Sequence, residues 1–232
     1  MFLGIDGCPG GWYAVSTSEV GGPIRGEVYP RFSDLLGDAP PFAIIAVDIP
    51  IGLQAAGSRA CDTLARAMLS PTRSASVFPA PLRPVLSAST HPEASALRRS
   101  IESKGMSIQS FAITAKVREV DDAVRIVGSY DDRVYEVHPE VSFTFANGGV
   151  PLTYPKKKAA GRAERLRLLS DAFGNAPARL LSERKAGMVG ADDVLDALVA
   201  LWSAYRIGRG EHSSLPALPG RDSLGNRMAI FY

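Results

Sequence analysis

Short apolar runs separated by turn residues dominate the first fifty positions of the chain. Residues 1–6, 12–17 and 24–29 predict three short strands, because the intervening CPGG and VGGP are strong turn signals. Residues 42–47 form a continuous apolar run, which is typical of a strand covered on both faces. The pattern therefore predicts a three-stranded meander, one short helix at 31–36, and then a buried strand.

The rest of the chain is predicted to be mostly helical. Helices are predicted at residues 58–69, 92–103, 110–127, 156–169 and 191–206, the first from a Ser58 cap and the last from an apolar stripe at helical spacing. Residues 70–89 are rich in Pro, Ser and Arg and predict a long loop. Residues 133–145, RVYEVHPEVSFTF, are β-branched and aromatic with alternating polarity, and predict a strand interrupted at Pro139. This order predicts a single α/β domain over residues 1–232, with helices on both faces of a mixed sheet.

Composition narrows the class of protein. The chain is 46% hydrophobic and 22% charged, which is typical of a globular protein and argues against a disordered or fibrous one. The net charge of +2 does not exclude nucleic acid as a partner, because binding depends on where the charge lies. The two cysteines, Cys8 and Cys61, lack the spacing of a zinc site. With no signal peptide and no apolar run of ~20 residues, we expect a cytoplasmic protein without a membrane partner.

Acidic residues lie at the ends or edges of several apolar elements. They are Asp6 on the first strand, Asp48 after the fourth, Glu136 and Glu140 on the fifth, and Asp192, Asp193 and Asp196 in the last helix. Carboxylates brought together repel one another unless a cation lies between them, and oxygen-only ligands suit Mg²⁺ or Mn²⁺. We therefore predict a metal site, with the ligands Asp6, Asp48, Glu136 and Asp193. Asp193 is favoured within the helix because small residues such as Ala197 and Ala200 continue its line and allow close approach to the sheet.

Four of these acids also have an ordinary structural explanation. An Asp at the start of a helix commonly interacts with the helix dipole, as Asp192 and Asp193 would. Asp48, before Ile-Pro, could close a turn, and Asp6 could cap the GCPGG turn. The joint occurrence of the acids favours the metal site over these separate explanations.

A metal site of this kind suits phosphodiester hydrolysis. Two divalent ions about 3.5–4 Å apart can hold the attacking and leaving oxygens of an in-line displacement. The run KKKAAGRAERLR is compatible with nucleic-acid binding, although a solvated helix end is the commoner explanation. The residues that we predict to contact phosphate are Arg59, Arg66, Lys157, Lys158 and Arg162. His138 lies two residues from both Glu136 and Glu140, on one face if the strand is regular, and is a candidate general base or proton shuttle.

Several motifs, taken in order, carry a family resemblance over almost the whole chain. They are GIDGCPGGW, VDIPIGL, RACDTLAR with SVFPAP after it, YEVHPEVSF, KKKAAGR and DDVLDAL. Together they resemble the bacterial and archaeal family called domain of unknown function 429, whose members are described as predicted nucleases with an RNase H-like fold. The resemblance implies a five-stranded mixed sheet with Asp6 on its central strand, and the order of predicted elements places a long, mostly helical insertion between the fourth and fifth strands. It places Asp48 where resolvase-like members commonly have Glu, and Asp193 or a neighbour as the acid of the last helix.

Two other functions fit the same sequence. Sugar kinases and actin-like ATPases begin with a similar strand, Asp and Gly-rich hairpin, whose backbone amides hold phosphates. Such proteins usually need two copies of the fold, and this chain holds one Asp-Gly hairpin. A non-catalytic RNase H-like binding module is the third possibility. The sequence as a whole favours a divalent-metal-dependent nuclease.

Overall fold

The core of the protein is a mixed five-stranded sheet, and the computed structural model describes residues 1–127, 130 and 132–232. Its strands are β1 (Phe2–Cys8), β2 (Gly11–Thr17), β3 (Arg25–Tyr29), β4 (Ile44–Val47) and β5 (Val134–Glu136). They are arranged in the order β3-β2-β1-β4-β5. Strands β1 to β3 form an antiparallel meander, whereas β4 is parallel to both β1 and β5. The predicted α/β class and the predicted mixed sheet are confirmed.

Helices cover both faces of this sheet. They are α1 (Phe32–Asp38), α2 (Ala60–Met68), α3 (His91–Glu102), α4 (Ile108–Ala112), α5 (Thr114–Val127), α6 (Pro139–Ala146), α7 (Ala159–Phe173), α8 (Ala176–Glu183) and α9 (Ala191–Gly208). Helices α2 to α5 lie between β4 and β5 in the chain, and the loop predicted at 70–89 contains two 3₁₀ turns, Ser74–Ser76 and Arg83–Ser87. None of the described helices is both long enough and apolar enough to cross a bilayer.

The strand predicted at 133–145 is wrong beyond its first few residues. Strand β5 ends at Glu136, and helix α6 begins at Pro139. Proline is well suited to the first turn of a helix, where its missing N–H and fixed φ cost nothing. Helix α6 is buried over most of its surface, so its apolar and β-branched residues lack the one-sided spacing that reveals an exposed helix.

A hairpin near the end of the chain was not predicted from the sequence. Strands β6 (Ser214–Arg221) and β7 (Arg227–Phe231) pair with each other, and Phe231 forms a parallel bridge with Val137. The hairpin is a separate two-stranded sheet, which this bridge joins to the residue that follows β5.

Glycine brings the longest helix into contact with the central strand. A Cβ atom on Gly4 would lie 2.0 Å from the backbone nitrogen of Leu201 and 2.2 Å from the carbonyl oxygen of Ala197. Its neighbours in β1, Leu3 and Ile5, belong instead to the core that includes side chains of α1 and α5. Since side chains alternate along a strand, the even-numbered residues of β1 face α9.

Candidate functional site

The carboxylates of Asp6 and Asp48 lie side by side near the ends of the neighbouring strands β1 and β4. Ile5 pairs with Val47 in the parallel register of β1 and β4, and the backbone N–H of Asp48 donates to the carbonyl oxygen of Ile5 at 3.0 Å. Asp6 and Asp48 are the residues that come directly after this Ile5–Val47 pair. Because side chains alternate along a strand, both acids lie on the face of the sheet that is covered by α9. Asp6 is buried and accepts a hydrogen bond from the N–H of Gly7 at 2.7 Å.

Asp196 is the acid of α9 that joins this pair. Its side chain is 1% exposed, and its oxygen Oδ1 has no hydrogen-bond partner among the described residues. Asp193, favoured from the sequence, instead accepts the backbone N–H of Gly190 at 2.8 Å and caps the start of the helix. It lies near enough to Asp6 to affect that residue electrostatically, but only Asp196 is buried among the strand acids.

Glu136 lies on the opposite face of the sheet. It pairs in register with Val47, the residue before Asp48, so strand alternation turns its side chain away from Asp6 and Asp48. Its carboxylate accepts two bonds from the Arg59 guanidinium, at 2.8 and 2.7 Å, and one from the N–H of Ile51 at 2.7 Å. The geometry thus gives Glu136 a structural partner and does not favour it as a ligand beside Asp6.

Arg59 is the centre of a buried ion cluster rather than an exposed phosphate contact. The side chain is 3% exposed and binds Asp62 as well as Glu136, at distances down to 2.6 Å. Among the described residues, Cys61, Asp62 and Glu136 form the one group of three metal-ligand types whose ligand atoms lie within 4.8 Å of one another. The guanidinium already supplies the positive charge between the two carboxylates, so this group does not fit a metal ion.

Asp6, Asp48 and Asp196 form what we call the acid cluster, and the start of helix α6 brings two further titratable residues near it. His138 precedes the helix, its Nε2 lies 3.4 Å from the carbonyl oxygen of Ser76, and its Nδ1 has no described partner. Glu140 is buried in the first turn, where Oε1 pairs with Arg165 and Oε2 has no described partner. The sequence analysis predicted that Glu136, His138 and Glu140 share one face of a strand. This prediction is wrong, because β5 ends at Glu136 and helix α6 begins at Pro139.

Lys156 is the cation of the cluster, and the sequence analysis did not single it out from the basic run. Its Nζ lies 2.5 Å from Asp196 Oδ2. Lys157, Lys158 and Arg162 of the run are exposed, as is Arg66 on α2. Within this run, Lys156 and Arg165 reach buried acids, since Arg165 pairs with Glu140.

The pKa values show that the acids act on one another. Burial, followed by the charges of Asp48 and Asp196, raises the pKa of Asp6 well above its usual value. Burial also raises the pKa of Asp196 to about 6, although Lys156 opposes the shift. Burial raises the pKa of Asp48, and His138 and Lys156 work against that increase. Burial is the largest cause of each shift, and neighbouring carboxylates add to it for all three acids.

The glycine-rich β1–β2 turn does not present free amides to a phosphate. The N–H of Gly7 is bonded to Asp6, and the N–H of Gly10 donates to the carbonyl oxygen of Met188 at 2.9 Å. The geometry gives no support to the nucleotide-binding alternative.

Comparison with known proteins places the chain in a family without assigning it an activity. No curated protein and no solved structure gives a significant match. One family model matches residues 4–221, which covers nearly the whole chain and every acid of the cluster described above. The chain belongs to the family described as "Protein of unknown function (DUF429)".

Proposed function

We propose that the protein is a divalent-metal-dependent nuclease that hydrolyses phosphodiester bonds of nucleic acid on an RNase H-like fold. The observation that carries the proposal is the buried Asp196 Oδ1, which has no described partner beside the acids at the ends of β1 and β4. An unpartnered buried carboxylate oxygen is costly unless a cation or another donor compensates it.

The oxygen-only chemistry of the donor set suits Mg²⁺ or Mn²⁺, and the acids would draw closer together on binding the ion, since no three of them have ligand atoms within 4.8 Å of one another in the described structure. Asp6, Asp48 and Asp196 offer only oxygen atoms, which these hard ions prefer, and Glu140 Oε2 is a fourth oxygen without a described partner. Cys8 lies close enough to Asp6 to be affected by its charge, but burial raises the pKa of its thiol, so the thiolate that a soft metal needs is disfavoured. The acids would hold the ion beside the carboxyl ends of the two central strands.

A bound divalent ion would supply positive charge to the phosphodiester and favour deprotonation of an attacking water. His138 is near enough to Asp48 to act on its charge, and its Nδ1 has no partner among the described residues, so it could accept or return a proton. The exposed Lys157, Lys158 and Arg162 would bind the phosphates of the nucleic acid on either side of the scissile bond. Arg59 and Glu136 would stabilise the loop after β4, which carries Asp48.

Cleavage of nucleic acid tests this function. The wild-type protein is incubated with labelled single-stranded, double-stranded and branched DNA and RNA, in Mg²⁺, in Mn²⁺ and in EDTA. We expect divalent-dependent cleavage that falls at least 100-fold in Asp6→Asn and persists in Asp171→Asn, whose side chain is 69% exposed on α7. Equal cleavage by Asp6→Asn would contradict the proposal, as would a complete lack of both cleavage and Mn²⁺ binding by the wild type.

A further inference from the structure

Two loops, which we call the rim loops, border the acid cluster. The first, residues 73–80, lies after α2, and the carbonyl oxygen of its Ser76 is 3.4 Å from Nε2 of His138. The second, residues 147–158, joins α6 to α7 and brings Lys156 to Asp196. The Lys156 side chain is 38% exposed while that of Asp196 is buried, so the cluster opens to solvent beside this lysine.

Hydrogen bonds hold the rim loops to each other and to the fold. Arg73 of the first loop donates to the carbonyl oxygen of Thr153 in the second at 3.2 Å. The Glu164 carboxylate on α7 accepts the backbone N–H groups of Thr153 and Tyr154 at 3.3 and 3.0 Å. In the first loop, Val77 is buried against side chains of α2 and α6. The residues beside these contacts therefore have fixed backbone positions.

Each rim loop presents one exposed aromatic side chain. Phe78 is 50% exposed and Tyr154 is 48% exposed, and neither ring has an aromatic or cation–π partner among the described residues. By contrast, the partly exposed Phe145 packs against the ring of Tyr232 and the guanidinium of Arg206. Two free rings on fixed loops offer flat apolar surfaces on which a planar ligand group can stack.

Basic side chains accompany these rings. Lys157, Lys158 and Arg162 are exposed and begin three residues after Tyr154. Cations that bind phosphates, combined with aromatic rings that stack on bases, are the features by which proteins bind single-stranded nucleic acid without reading its sequence. A duplex keeps its bases stacked on one another, so it would leave the two rings without a base. The combination therefore favours an unpaired strand.

We infer that the substrate of the site is single-stranded nucleic acid, whose bases stack on Phe78 and Tyr154 while the exposed basic side chains bind its phosphates. This inference rests on the proposed function and names the form of its substrate. One ring lies on the loop that reaches His138, and the other lies on the loop that carries Lys156. A strand bound to both rings would pass the opening of the acid cluster.

Binding measured in EDTA tests this inference without requiring cleavage. Fluorescence anisotropy is recorded with labelled single strands of DNA and of RNA, about 12 nucleotides long, and with the matching duplexes. We expect the wild type to bind the single strands at least about fivefold more tightly than the duplexes. Phe78→Ala and Tyr154→Ala should each weaken single-strand binding at least about fivefold, whereas Phe78→Tyr and Tyr154→Phe keep the ring and should stay within about twofold.

Phe42→Ala is the matched control for loss of an exposed ring. Phe42 is 74% exposed and precedes β4, at the opposite end of this strand from Asp48. Its variant should bind single strands as the wild type does. Equal weakening in Phe42→Ala and Phe78→Ala would mean that any exposed ring contributes, and would overturn the assignment to the rim loops.

The salt dependence of binding separates stacking from charge. Lys157→Met should reduce the slope of log K against log salt concentration by up to about 1, because it removes a phosphate contact. Phe78→Ala should weaken binding and leave this slope unchanged. A slope that falls in Phe78→Ala as well would show that the ring only positions the basic groups, and would overturn stacking.

The outcomes also separate this inference from the proposed nuclease. Duplex binding as tight as single-strand binding, or wild-type affinity in both alanine variants, would overturn the inference, and Asp6-dependent cleavage could still establish the nuclease. Single-strand binding that depends on both rings, without cleavage in any metal, would support the inferred surface and contradict the nuclease. No binding of any strand at about 100 μM protein would overturn the inference.

Discussion

The backbone nitrogen of Leu201 lies so near Gly4 that a Cβ on this glycine would come within 2.0 Å of it. Helix α9 and strand β1 are thus in backbone contact, and this contact sets the depth and rotation of the helix. Asp196 precedes Leu201 by five residues on the same helix. The contact at Gly4 therefore also places Asp196 near the ends of β1 and β4. Close packing at Gly4 is therefore a precondition of the acid cluster.

Gly4→Ala should destabilise the protein strongly. Its added methyl group meets backbone atoms of α9, which cannot move aside as a side chain can, so we expect a loss of about 3 kcal/mol or more in the free energy of unfolding. Urea denaturation measures the loss. Gly37→Ala is the matched control, because a Cβ there meets nothing within 4 Å in α1; it should be neutral or stabilising by up to about 1 kcal/mol. Equal stability of the two variants would contradict the close packing.

Asp6→Asn should make the metal-free protein more stable. The pKa of Asp6 is raised by burial and by Asp48 and Asp196, so its ionised form is unfavourable in the folded state. We expect a melting temperature at least about 2 °C higher at neutral pH, since 1 kcal/mol corresponds to about 2–4 °C for a chain of this size. Because a raised acid pKa disfavours folding as pH increases, the gain should be larger at pH 8 than at pH 5. A lower melting temperature at every pH would show that Asp6 instead stabilises the metal-free fold.

Arg59→Ala should be far more damaging than the loss of an exposed arginine. It leaves Asp62 and Glu136 buried without their cation, and breaking a buried pair from one side costs about 3–5 kcal/mol. Arg31→Ala provides the control, since the Arg31 side chain is 73% exposed in its pair with Asp34 and should have no measurable effect. Urea denaturation distinguishes the two. A small effect at Arg59 would mean that the buried cluster is solvated and not a fixed part of the fold.

Asp222 should make the protein sensitive to acid. Although burial opposes the shift, the N–H groups of Leu53, Asn226 and Leu224 and the Arg83 guanidinium lower its pKa below 3.8. A lowered acid pKa stabilises the folded state above the unfolded pKa, and this stabilisation is lost as the pH falls through the folded value. Unfolding free energies measured from about pH 5 to pH 2 should therefore decline less steeply in Asp222→Asn. Parallel curves would contradict this role for Asp222.

Strand alternation accounts for the part of the site that the sequence predicted well. Asp6 lies near the end of β1 and Asp48 directly follows β4, and parallel neighbours bring such positions together. The same rule, applied to the register of β4 and β5, would have placed Glu136 level with Val47 and on the opposite face. That register is not evident from the local pattern, because it depends on how two strands far apart in the chain align.

The remaining residues of the site depend on tertiary contacts. The choice between Asp193 and Asp196 follows from the rotation of α9, which backbone packing at Gly4 sets. Lys156 stood within a run of three lysines, and only the loop held by Glu164 distinguishes it from its neighbours. Charge and spacing alone could not have separated these residues.

Calorimetric titration of the metal-free protein with Mn²⁺ tests the central claim most directly, since it needs no knowledge of the nucleic-acid substrate. The account predicts saturable binding to the wild type, its loss in Asp6→Asn and Asp196→Asn, and its retention within about tenfold in Asp193→Asn, because Asp193 caps the helix and lies outside the buried group. Binding by Asp196→Asn as tight as that of the wild type, or no binding by the wild type, would contradict it.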